Sequence, residues 1–182
     1  MQSSYLKNNI GKTIYNFVNF YKPTTIYEFG VLDGYSTEHI LKAIQNGWGR
    51  NNGSRLFAYD LWDDYEYKHS ERNEVEKRLH SKDKFCQLYT GKEDFYNWIT
   101  NPPKSIDMLH LDISNDGDII ELAIDNLPEG TLLLFEGGSE ERDHVDWMLR
   151  YKRKPITSIK YNYTILNKNF PSISFIEVPC KN

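Results

Sequence analysis

The chain has 182 residues, a formal net charge of -4, and is 39% hydrophobic and 26% charged. That balance suits one folded domain with a sizeable core and excludes a disordered chain, while the negative charge excludes a protein built throughout to bind polyphosphate. No apolar run approaches the roughly 20 residues that span a bilayer, and Met1-Gln2-Ser3-Ser4-Tyr5-Leu6-Lys7 lacks the apolar stretch of a secretory signal, so a cytoplasmic protein with neither membrane nor nucleic-acid partner is expected.

Tyr5, Ile10, Ile14, Phe17, Val18 and Tyr21 recur at close to helical spacing, which predicts an amphipathic helix over 4–20, ended by Pro23. Thr25–Phe29 is rich in β-formers and runs into the turn Gly30-Val31-Leu32-Asp33-Gly34. Ser36 is placed to cap the next helix, whose apolar residues are Ile40, Leu41 and Ile44. A loop with Gly47, Gly49, Asn51, Asn52 and Gly53 leads to a second strand over 55–59, closed by Asp60. This strand–turn–helix–strand unit is the kind that builds parallel sheets.

The pattern continues. The charged stretch 63–84 holds a helix over 71–80, with Val75 and Leu79 on one face. A third strand over 85–89 is followed by Gly91, Lys92 and a helix with Phe95, Trp98 and Ile99, closed by Pro102-Pro103. Residues 106–111 are almost continuously apolar, which predicts a fourth strand buried on both faces. The helix after it carries Ile119, Ile120, Ala123, Ile124 and Leu127, and Pro128-Glu129-Gly130 stops it. A fifth strand spans 131–135, a helix capped by Ser139 spans 139–150, and strands over 158–166 and 172–178 form a hairpin at the sheet edge. The basic run Tyr151-Lys152-Arg153-Lys154 reads as a solvated helix end. Neither Cys86 nor Cys180 lies in a short-spaced ligand pair, and their expected places on distant strands rule out a disulfide. No repeat or linker divides the chain, so a single domain over 1–182 is expected, with an N-terminal helix (1–22) and a core (25–180).

In open parallel sheets, ligands bind beyond the carboxyl ends of the strands. Gly30 and Gly34 let the backbone turn there and approach a ligand closely. Their Gly-x-x-x-Gly spacing is not that of a dinucleotide site, and no phosphate-loop lysine follows. Asp60 stands where a carboxylate can accept a hydrogen bond from each of two neighbouring ribose hydroxyls. Together they point to an adenosine-type ligand.

Glu28-x-Gly30-x-x-x-Gly34-x-Ser36, Ala58-Tyr59-Asp60, Asp107-Met108-Leu109-His110-Leu111-Asp112 and Leu127-Pro128-x-Gly130-x-x-Leu133-Leu134-Phe135 resemble the successive motifs of class I S-adenosylmethionine-dependent methyltransferases, in the short O-methyltransferase-like branch that acts on small molecules and sugars. The resemblance covers residues from about 25 to 180. It implies an α/β three-layer sandwich around a Rossmann-like, mostly parallel seven-stranded sheet with an antiparallel edge hairpin. It also implies S-adenosylmethionine as cofactor and O-methylation of a small hydroxylated acceptor. By the same resemblance Glu28 anchors the turn near the methionine amino group, Gly30 and Gly34 pass under the methionine and ribose, and Ser36 caps the helix at the pocket. Asp60 holds the ribose hydroxyls, Leu61 and Trp62 lie beside the adenine, Gly91 and Lys92 approach its edge, and Asp112 faces the sulfonium.

Metal-using relatives place further carboxylates after the fourth and fifth strands, where this chain has Asp112-Ile113-Ser114-Asn115 and Glu136-Gly137-Gly138. Asp112, Asn115 and Glu136 offer three oxygen ligands at most, so Mg²⁺ is not favoured. Asp112, Glu136 and His144 are the candidate bases for the acceptor's proton, and His110 reads as a core residue. Asp63, Asp64, Tyr65, Glu66 and Tyr67 form either a flap over the acceptor or a solvated loop. The thinned acidic cluster leaves a second reading, an accessory protein that kept the fold and the S-adenosylmethionine pocket without catalysis.

Overall fold

In the computed structural model the described residues are 3–47, 53–65, 70–82 and 86–181. Strands β1 (Thr25–Phe29), β2 (Arg55–Asp60), β3 (Gln87–Lys92), β4 (Met108–Leu111), β5 (Leu132–Glu136), β6 (Thr164–Asn167) and β7 (Ile173–Glu177) form one sheet in the order β3-β2-β1-β4-β5-β7-β6. The pairs from β3 to β5 are parallel, and β7 runs antiparallel between β5 and β6. The strand order reverses between β1 and β4, which opens a crevice beyond their carboxyl ends.

Alternation along the central strands supplies two cores. Ile26, Leu56, Met108 and Leu134 face α1 (Ile10–Tyr21), α2 (Tyr35–Gly47) and α3 (Arg72–His80). Tyr27, Phe29, Leu109, Leu133 and Phe135 face α4 (Phe95–Ile99) and α5 (Gly117–Asn126) on the other side. Helices α6 (Glu140–Asp143) and α7 (Asp146–Arg150) follow β5.

Several expected boundaries move. The first helix is two pieces, a 3-10 turn over Ser4–Asn8 and then α1, because Asn9 turns left-handed between them. Lys22, also left-handed, ends α1 before Pro23 is reached. β3 begins and ends later than expected, since its ladder with β2 runs on to the pair Asp60–Lys92; Phe85 lies outside the described residues. The expected 139–150 helix breaks at His144 and Val145, although Ser139 caps its first half by accepting from the Arg142 N–H at 3.3 Å. Of the 158–166 strand only Thr164–Asn167 pairs. Lys160 and Tyr161 are instead bonded to Glu121 and Asp125 on α5, which draws this stretch off the sheet. Neither cysteine lies in a strand: Cys86 precedes β3 and Cys180 follows β7. The basic run is not simply solvated, because Arg153 pairs with Asp116 and Lys154 with Glu121.

Candidate active site

Beyond the carboxyl ends of the strands lies a cavity of about 740 Å³, within the usual range for cofactor and small-ligand sites. Its floor is the turn after β1. Gly30 continues the ladder by donating its N–H to the Tyr59 carbonyl at 3.0 Å, at a φ of +93°. A Cβ there would stand 2.1 Å from the Asp112 carbonyl oxygen, so the glycine is what lets the β1 and β4 ends close together. Leu32, at φ +49°, gives its N–H to Asp60. Gly34 turns away from the cavity, and a Cβ there would press on Val75, Arg78 and Leu79 of α3. Ser36 reaches the cavity wall but lies inside α2 and does not cap it; Asp33 accepts the Tyr35 N–H instead.

Asp60 ties two turns together at the β2 end of the cavity. One oxygen accepts the Leu32 N–H and the other the Trp62 N–H, both at 2.8 Å, so the turns after β1 and β2 are locked to each other. Each oxygen keeps a second lone pair, and the residue lines the cavity beside Leu61. Trp62 does not stay with them: it is 2% exposed and donates its indole N–H to the Gly91 carbonyl at 3.0 Å. Lys92 is drawn off by Asp64. With β3 ending only at Lys92, the wall is supplied by Glu93, Asp94 and Phe95 rather than by Gly91 and Lys92. Asp63 and Asp64 form a 3-10 turn with Trp62, and Tyr65 reaches the cavity; Glu66 and Tyr67 fall outside the described residues.

Glu28 is buried in the core and engages Thr37 at 2.5 Å and His110 at 3.0 Å, which ties β1 to α2 and β4. It is not on the cavity wall. His110 is a core residue, as expected. His144 is exposed at the end of α6, with its ring against the Glu140 carbonyl, and is not on the cavity wall either.

Asp112 and Glu136 do meet, at the bottom of the crevice. Burial, and then the charge of Glu136, push the Asp112 carboxyl well above the usual carboxylate range. Two groups around them were not legible from sequence patterns. Arg142, only 7% exposed, grips Glu136 through Nε at 2.8 Å and through a second nitrogen. The Tyr5 hydroxyl is fully buried beside Asp112, and burial followed by the charge of Asp112 pushes its phenol well above the ordinary value. Ser3 and Ser4 bring this N-terminal segment onto the cavity, where the Ser3 N–H donates to Asp33 at 2.7 Å. The signal for Arg142 was its basic charge inside the acidic run Glu140-Glu141-Arg142-Asp143, six residues after Glu136.

Among the described residues no three His, Cys, Asp or Glu side chains converge as a metal site requires. The groups present do not fit a divalent ion: Glu136 is taken by Arg142, and Asn115 turns its amide N–H toward the Met148 sulfur, 3.6 Å away. Gly137, where a second strand-5 acid was missing, leaves the room that Asn115 fills, since a Cβ there would lie 1.8 Å from Asn115 Oδ1.

The strand order, the antiparallel β7 and the glycine turn opening into this cavity give the chain the fold of class I S-adenosylmethionine-dependent methyltransferases. No protein-family model and no curated protein matches the sequence. Solved structures do match in fold. A methyltransferase from Geobacter sulfurreducens aligns at a TM-score of 0.59 and 16% identity, over 94% of this chain and 79% of that one. The O-methyltransferase TomG from Streptomyces achromogenes, involved in tomaymycin synthesis and solved with S-adenosylmethionine, aligns at 0.56 and 14%, over 94% and 80%. An S-adenosylhomocysteine-bound methyltransferase from Podospora anserina aligns at 0.63 and 11%, over 98% and 80%.

Proposed function

We propose that this chain is an S-adenosylmethionine-dependent methyltransferase that methylates a hydroxyl oxygen of a small acceptor. The observation that carries the reading is one cavity that holds Asp60 at one end and the Asp112–Glu136 pair at the other, with the Gly30 turn between them. Asp60 receives the ribose hydroxyls on its free lone pairs, Leu61 and Phe95 offer apolar surface to the adenine, and the backbone of Gly30 and Val31 passes under the methionine portion.

S-adenosylmethionine, when bound, supplies a methyl group on a positively charged sulfur, so the acceptor oxygen forms the C–O bond as the C–S electron pair returns to sulfur. The chain's own tasks are then to align the acceptor and to receive its proton. The Asp112–Glu136 pair is the acceptor of that proton. Raising a carboxyl toward neutrality makes its ionised form a stronger base, and burial beside a second acid does this to Asp112. Arg142 holds Glu136 in place, and the Tyr5 hydroxyl stands beside Asp112 to stabilise its charged form.

No described helix is long and apolar enough to cross a membrane, and a cytoplasmic setting with a small-molecule acceptor belongs to the same reading. The test is calorimetry with S-adenosylmethionine and S-adenosylhomocysteine, then a screen of hydroxylated acceptors with a labelled methyl donor. Micromolar binding and label transfer are expected; absence of binding to either compound would overturn the reading.

A further inference from the structure

The cavity has two unlike ends. Asp60, Glu93 and Asp94 make the end at β2 and β3 acidic, whereas α6, α7 and the β6–β7 turn bring Arg142, Trp147 and Phe170 to the other, and Tyr151 and Arg153, just after α7, complete the lining. Arg142 is the unusual member. Glu136 occupies one edge of its guanidinium, through Nε and a terminal nitrogen on the same oxygen. The other terminal nitrogen is buried and has no hydrogen-bond partner among the described residues. A buried charged N–H left unpaired costs about 1–3 kcal/mol or more, and folded proteins rarely leave one without a reason. The guanidinium is also fixed in place, with its central carbon 4.9 Å from the Trp147 ring and 5.5 Å from the Phe170 ring. The result is a rigid, half-used arginine in an aromatic collar on the wall of the cavity.

We propose that this wall recognises a carboxylate on the acceptor. The free edge of Arg142 takes a carboxylate oxygen, Arg153 adds positive charge at the mouth, and the apolar or ring portion of the molecule rests on Trp147 and Phe170. Glu136 offsets Arg142 and Asp116 pairs with Arg153 at 3.0 Å, so the wall carries no surplus of positive charge and recognition rests on the unpaired N–H of Arg142; a dianion such as a phosphate monoester would bring a second negative charge against the same acids. Calling this ligand the acceptor rests on the methyltransferase reading, whereas the carboxylate subsite itself does not.

The experiment is a fluorine-NMR titration of the full chain with 4-fluorobenzoate and with 4-fluorobenzamide, which share a shape and differ in charge, each with and without saturating S-adenosylhomocysteine. Benzoate is expected to bind at least tenfold more tightly than the amide and to be undisturbed by the cofactor product. Arg142→Met combined with Glu136→Gln removes both charges of the buried pair together, so neither is left alone, and is expected to lower benzoate affinity at least tenfold. Should that double variant fail to fold, Arg153→Gln on the exposed rim serves instead, with a loss of about threefold or more expected. Equal binding of the two probes, or displacement of benzoate by S-adenosylhomocysteine, would overturn the proposal. So would unchanged benzoate affinity in a folded variant. Charge-selective benzoate binding by a protein that ignores S-adenosylhomocysteine would sink the methyltransferase reading and leave the subsite standing.

Discussion

Asp112→Asn is expected to stabilise the protein, and increasingly so as the pH rises. The folded state holds the Asp112 carboxyl well above its ordinary value through burial and the charge of Glu136, so it binds that proton more tightly than the unfolded chain does. Where the native state carries more bound protons, stability falls as pH rises. The loss begins near the unfolded value of about 3.9, grows by about 1.4 kcal/mol per pH unit, and is complete once the pH passes the folded pKa. Asparagine has the same shape, can donate to Glu136 as the protonated acid does, and has nothing to ionise. The variant should therefore melt close to wild type at pH 4 and above it at pH 8. For each unit of displacement the gain is about 1.4 kcal/mol, or about 3–6 °C for a chain of this size. Thermal melts of both proteins across pH 4 to 8 provide the assay. A difference that stays flat with pH, or a variant that loses stability at pH 8, would refute the claim that the fold raises the Asp112 carboxyl above its ordinary value.

Asp60→Ala should weaken S-adenosylhomocysteine binding by about 1–3 kcal/mol, or about 5- to 150-fold, by calorimetry. Because it also frees the Leu32 and Trp62 N–H groups, Asp60→Asn is the control that keeps the shape of the turn. Gly30→Val should lower stability by about 3 kcal/mol or more in urea unfolding, because the added Cβ would stand 2.1 Å from the Asp112 carbonyl oxygen at a φ of +93°. Glu28→Ala should cost about 3 kcal/mol of stability by the same assay, since it leaves buried His110 and Thr37 unpaired. Methyl transfer, once an acceptor is known, should survive excess EDTA, because Arg142 already occupies Glu136; loss restored by Mg²⁺ would show that the acids release the arginine and take up the ion.

What was readable in advance followed from where the signal is local. β1, β4 and β5 are short strands buried on both faces, and the alternation of strands with amphipathic helices leaves few ways to build the sheet, so β1, β2, β4, β5, α2 and α5 were legible within a residue or two. Positions beyond strand ends were legible too, because a parallel sheet puts them all on one side, and this is how Asp60, Asp112 and Glu136 came to be singled out. The edge was less legible: β6 was over-read because 158–163 has strand-like composition, while its partners on α5 are far away in sequence.

The sequence by itself, then, determined the sheet, the crevice and the acids that face it, since each depends on a period or a strand end visible in a short window. Only the tertiary structure decided what each side chain does there. Glu28 and Trp62 carry the right residue types at the right offsets, yet one is claimed by Thr37 and His110 and the other by the Gly91 carbonyl. Gly34 answers to α3, and Gly30 answers first to the Asp112 backbone. Tyr5 and Arg142 reach the Asp112–Glu136 pair from opposite ends of the chain. A side chain's charge state and free hydrogen-bonding capacity are set by the few ångströms around it, and those neighbours are brought together by the fold rather than by the spacing of the sequence.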